Sequence, residues 1–188
     1  MKWECWTLLK ERRLRHKKNI KKTEIMKKLI LIAILAMQFC SQAQEIPSPP
    51  ANGFAFPIGS KFTIKLYPVD STHFDFSVIA YEAFDQTISL HENDSLFKTD
   101  GEAGTIDFYF CFATDGDTEK ERDENMHVVL LFKNRTIYAM NYTSEIQRKE
   151  DGKFESTSNV GTYPGVKTNE MWPYMIYQIG LFDFRRME

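Results

Sequence analysis

The chain is expected to be a mainly β protein, an antiparallel β-sandwich or barrel with room for one short helix. Three observations predict this. Short runs alternate apolar and polar residues at period two, and Asp, Asn, Gly and Pro punctuate them at close intervals. Between them lies no series of strongly amphipathic helices, which a parallel α/β sheet would need.

The first element is not part of that fold. Lys27 and Lys28 precede an apolar run from Leu29 to Met37, followed by Ser41, Gln42 and Ala43. This pattern over 26–43 reads as a secretory signal peptide cleaved before Gln44, and the run is too short to span a bilayer as a helix. Residues 1–25, rich in Lys and Arg, read as an upstream extension or a start placed too early. A lipoprotein anchor at Cys40 would require a small residue before the cysteine, where Phe39 stands. The leader resembles those common in Bacteroidota, which implies an envelope destination, periplasmic or extracellular, and extends no further than the signal segment.

From Gln44 on, the chain carries 13 basic and 23 acidic residues, a formal net charge of −10. Such a surface repels phosphate backbones and anionic headgroups, so neither nucleic acid nor a membrane surface is an expected partner. Cys5 and Cys40 precede Gln44, leaving Cys111 without an intramolecular partner.

A Pro-rich lead, 44–58, is expected to be mobile, with one β-rich domain over 59–188. Phe62, Ile64 and Leu66 alternate with Lys61, Thr63 and Lys65, and a turn around Asp70 leads to Phe74, Phe76 and Val78. This predicts a hairpin. Residues 82–97 fit neither period cleanly. Thr105 to Ala113 is the strongest strand signal, with Ile106, Phe108, Phe110 and Phe112 on one face and Tyr109, Cys111 and Ala113 on the other. Val128 to Phe132 likewise requires cover on both faces. A turn at Lys133, Asn134 and Arg135, with Asn134 left-handed, predicts a second hairpin with Thr136 to Tyr142. A last strand is expected within Tyr174 to Phe184.

Few residues point to chemistry. The acidic connection from Asp115 to Asn125 has Lys120 where an EF-hand needs glycine and Met126 where it needs glutamate, so it reads as a solvated loop and no metal is expected. His73 with Asp75, His91 with Glu92, and His127 have no informative spacing. Cys111, between Phe110 and Phe112, reads as a buried core residue rather than a nucleophile. No catalytic set and no cofactor follow from these residues.

The aromatic group Tyr163, Trp172 and Tyr174, with Tyr177 nearby, is the candidate ligand-binding feature, since flat rings on loops stack on sugars or anchor protein partners. The competing role for Trp172 is closure of one end of the core. The functional expectation is therefore an exported, non-catalytic β-domain that binds a ligand, an envelope protein or a glycan. Two alternatives stand beside it: a small hydrolase or enzyme inhibitor whose site assembles only in three dimensions, and a structural subunit of an envelope assembly.

Overall fold

The computed structural model describes residues 46–187. The upstream segment 1–25, the signal peptide read over 26–43, and Cys40 lie outside the described residues. The strands are β1 (Gly53–Pro57), β2 (Ser60–Pro68), β3 (His73–Ala83), β4 (Ile88–Ser89), β5 (Thr105–Thr114), β6 (His127–Asn134), β7 (Met140–Gln147), β8 (Phe154–Thr157), β9 (Lys167–Trp172) and β10 (Gln178–Arg186). They form one sheet in the order β8-β7-β10-β3-β2-β5-β6-β9, with β1 on β10 and β4 on β5. The sheet curls on itself as a half-barrel, so of the two expected architectures the barrel-like one is found.

The first hairpin, β2 with β3, forms where the alternation places it. Its turn is built by Asp70, whose carboxylate accepts the N–H groups of Thr72 and His73 at 2.7 Å each. β5 then pairs with β2 and β6, and both β5 and β6 are covered on both faces. Ile106, Phe108, Phe110, Val128, Leu130 and Phe132 enter the main core inside the curl. Tyr109, Cys111, Ala113, Val129 and Leu131 belong to a second, smaller core on the outer face. The roof of that second core is the segment 84–97, which contributes Phe84, Ile88, Leu90, Leu96 and Phe97. An irregular roof needs apolar residues without a fixed period, which is why this stretch fits neither template.

Aromatic rings line the inside of the curl from strand to strand. Phe62 stacks on Phe108 at 4.9 Å between centroids, Phe108 meets Phe132 at 5.4 Å, and Phe132 meets Tyr142 at 6.0 Å. Tyr142 stacks on Phe184, and Phe184 meets Phe76 edge-on, each at 5.1 Å. Phe54 and Phe56 of β1 complete the circuit against Phe76 and Phe62. Such pairs contribute roughly 0.5–1.5 kcal/mol each beyond their buried area.

Three expectations are corrected. The lead is part of the sheet: the N–H groups of Ser48 and Ala51 donate to the carbonyls of Val78 and Phe76 at 3.0 Å, and β1 pairs with β10. β3 and β10 meet directly only at Phe74–Phe184 and His73–Arg185, and residues 48–57 run between them beyond that point.

The second expected hairpin does not form, because β6 pairs with β5 and β9 while β7 pairs with β10 and β8. Asn134 is not left-handed; its N–H and C=O bond Val166 and Gly165, keeping it in the ladder. Its amide side chain shapes a corner instead, accepting from the Thr136 N–H and donating to the Tyr138 carbonyl, each at 2.8 Å.

Within the charged connection there is a helix, α1 (Glu119–Glu124). It starts on a capping box, in which Thr118 Oγ1 accepts the Glu121 N–H and the Glu121 carboxylate accepts the Thr118 N–H. Among the described residues no helix is long and apolar enough to cross a membrane.

Candidate functional site

Strand alternation sends Lys61 and Thr63 of β2, and Asp107 and Tyr109 of β5, to the outer face of the sheet. Beside them, a bulge leaves Ile79 without a partner, because Thr63 pairs with Ala80 and Ile64 with Val78. The loop 96–102 passes over this face, and a groove of about 420 Å³ lies between them. Its size falls in the range of small-molecule sites.

The loop is fixed from below. Tyr109 donates its hydroxyl to the Leu96 carbonyl at 2.7 Å, and Arg135 Nη2 donates to the Lys98 carbonyl at 2.6 Å. The same side chain, only 8% exposed, holds Asp107 through Nε at 2.8 Å, and Thr63 donates to the other Asp107 oxygen at 2.8 Å. Gly101 lies so close to this group that a β-carbon there would stand 2.2 Å from Arg135 Nε. A side chain at 101 would therefore displace the clamp.

At the mouth, Lys61 bonds Glu82 at 2.5 Å and lies 5.6 Å from the centroid of the Tyr109 ring. The bond to Glu82 is the main reason its ammonium titrates above the usual lysine range. Burial raises the Tyr109 phenol, so both groups keep their protons at neutral pH. The groove is thus lined by Lys61, Lys98 and several acidic residues beside Ile79, Leu96 and Phe97. Such walls suit a ligand with an apolar body and a few hydrogen-bonding groups.

The candidate aromatics are not brought together. Trp172 is 6% exposed, packs in the main core, and donates Nε1–H to Thr157 Oγ1 at 3.1 Å, which is the core-closing role and leaves no ring face for a ligand. Tyr163, 53% exposed, opens a type II turn through Pro164 and Gly165, with Gly165 at φ +73° and the Val166 N–H donating to the Tyr163 carbonyl at 3.1 Å. Tyr174 is exposed beyond the far end of β9, with the Arg148 guanidinium 4.2 Å from its ring centroid. Five strand steps, roughly 17 Å, separate the two ends of β9, so Tyr163 and Tyr174 do not form one platform.

The histidines are equally dispersed. His73 Nδ1 lies 3.0 Å from Asp70 at the first turn, His91 Nε2 lies 3.2 Å from Asp115, and His127 Nδ1–H donates to the Asn125 carbonyl at 2.7 Å. Among the described residues no three His, Cys, Asp or Glu side chains gather in a metal-holding group. Burial pushes the Cys111 thiol up to about 12, far from a reactive thiolate.

A second polar feature is marked by no motif in the sequence. Inside the curl, Tyr142 of β7 donates its hydroxyl to Glu170 Oε1 of β9 at 2.5 Å. The Val160 N–H reaches the same oxygen at 3.4 Å, and among the described residues Oε2 has no hydrogen-bond partner. Burial raises the Glu170 carboxyl to about 7. One signal was legible for the groove: Asp107 is a carboxylate inside the most apolar strand, and a half-buried charge there needs a partner. For Glu170 there was none, since β9 carries no clear alternation.

Compared with protein-family models, with curated proteins and with solved structures, the chain gives no match.

Proposed function

We propose that this is an exported, non-catalytic binding domain of the cell envelope, whose ligand occupies the groove between the outer face of β2, β3 and β5 and the loop 96–102. The observation that carries this reading is the construction of the groove. Its loop wall is clamped by Arg135 and Tyr109, and fixed walls lower the ordering cost of binding. His73 and Asp75 lie at the start of β3, His91 in the loop after β4, His127 at the start of β6 and Cys111 in buried β5, a dispersal that weighs against the hydrolase reading.

The test is equilibrium binding of soluble envelope glycans and small polar metabolites to the wild-type protein and to Ala80→Trp. Ala80 is exposed and lines the groove, so the indole would fill it. Binding by wild type that is lost in Ala80→Trp supports the proposal. Binding unaffected by Ala80→Trp but lost in Tyr163→Ala or Tyr174→Ala would move the site to the aromatics, and no binding by any probe would sink it.

A second reading rests on a different observation. Val160, Tyr163, Val166, Met171, Tyr174 and Met175 are large apolar residues exposed within one short stretch around β9. This favours a protein contact on that side of the sheet, as a structural subunit of an envelope assembly would have.

A further inference from the structure

The two ends of the sheet, β8 and β9, are not paired with each other. Across that seam the curl is held by side chains. Trp172 Nε1–H donates to Thr157 Oγ1 at one point, and at the other Tyr142 and the Val160 N–H both converge on a single oxygen of Glu170. Glu170 is 7% exposed, and among the described residues its second oxygen has no hydrogen-bond partner.

We propose that Glu170 is a proton-operated latch on this seam: neutral, it keeps β9 seated against β7, and ionised, it releases β9 and opens the curl along that line. The reason is the shortage of donors. A buried carboxylate is stable only where several donors or a cation meet it, and here both donors lie on Oε1. The groups around it do not make up the deficit. β7 presents Tyr142, whose phenol burial keeps protonated, and β6 presents apolar Leu130 at the register position opposite Glu170. The connecting loop presents the Val160 backbone, β8 presents Thr157, and on β9 itself the Lys167 ammonium is held by Asn93 and Asp94.

Loss of the proton to solvent therefore leaves a charge in the aromatic core. The least costly relief is outward movement of β9, which among the described residues is bonded to a neighbouring strand along one edge. The carboxyl's raised titration in the closed form, about 7, agrees with this direction.

Amide hydrogen exchange by mass spectrometry on the full chain at pH 5.5 and 8.5, corrected for intrinsic rates, tests the latch. In wild type, opening of Lys167–Trp172 is expected to rise roughly 30-fold between the two pH values, while Thr105–Thr114 changes much less. Glu170→Gln, which cannot ionise, should flatten the rise. Equal opening of β9 at both pH values, the same rise in Glu170→Gln, or an equal rise in β5 overturns the proposal. If the variant does not fold, the wild-type profile decides: a step confined to β9 and levelling off near neutral pH supports the latch, and a flat profile refutes it.

Discussion

Leu181 and Phe184 both bury their side chains in the main core, although three residues apart on a regular strand they would face opposite sides. The bulge between them makes this work. Asp183 adopts φ +55°, and the ladder to β7 skips from Phe182 with Thr143 to Arg185 with Asn141. Phe184 then reaches its stacking partner Tyr142.

Substitutions at Asp183 should therefore sort by backbone freedom. Asp183→Gly, at ease in this conformation, is expected within about 1 kcal/mol of wild type, and Asp183→Val about 1–3 kcal/mol less stable. Urea unfolding measures both. A glycine variant weaker than the valine one would contradict the bulge account.

Glu170 gives stability a pH dependence of known sign. Its carboxyl titrates near 7 when folded and near 4.5, the ordinary glutamate value, when unfolded, so the folded state holds a proton that the unfolded state has released. This contribution is complete below about pH 4.5, is lost as pH rises towards about 7, and changes little beyond. Its size is on the order of 3 kcal/mol at most. The stability difference between Glu170→Gln and wild type should shift in favour of the variant from pH 5 to pH 8.5, read from urea midpoints; a difference independent of pH would show that the carboxyl titrates normally.

Arg135→Ala removes the cationic partner of Asp107 and the donor to the Lys98 carbonyl together, and should cost about 2–4 kcal/mol. Gly101→Ala should act in the same direction, because its β-carbon displaces the guanidinium. Both variants should be cut faster by trypsin at Lys98, at the edge of the groove. Unchanged cleavage in both would mean that the loop is held by other contacts.

Cys111 should be inert. With its thiol pushed up to about 12 and its side chain in the second core, iodoacetamide at pH 8 should modify it at least about 100-fold more slowly in the native protein than in urea. Peptide mapping of the Cys111 segment reports this directly, and comparable rates would show that β5 opens far more readily than a central strand should.

What could be read in advance was whatever depends on a strand's own residues. The alternation of Phe62 and Ile64 with Lys61 and Thr63 set the faces of β2, and the two-sided apolar runs of β5 and β6 required cover on both sides, which the two cores supply. The burial of Cys111 followed from its place between Phe110 and Phe112. The helix α1 also has a local signal, since Thr118 and Glu121 have capping-box spacing, although the density of charge around them matches a solvated loop.

Strand partners, by contrast, are a competition between edges distant in sequence. The run after Asn134 has the β-formers of a hairpin's return arm, but β6 is bonded on one side by β5 and on the other by β9, a strand with weak alternation more than thirty residues away. The lead carries four prolines, and only the space between β3 and β10 gives it sheet neighbours. The candidate site obeys the same logic. Lys61, Thr63 and Asp107 are ordinary outward-facing polar residues until a loop closes over them, and Glu170 is an ordinary glutamate until the curl brings Tyr142 against it. Sequence alone determined the β class and the faces of the strongest strands, because side-chain direction along a strand is local. Only the tertiary structure decided the neighbours, the groove and the buried carboxyl, because each is made by residues that meet solely when the sheet curls.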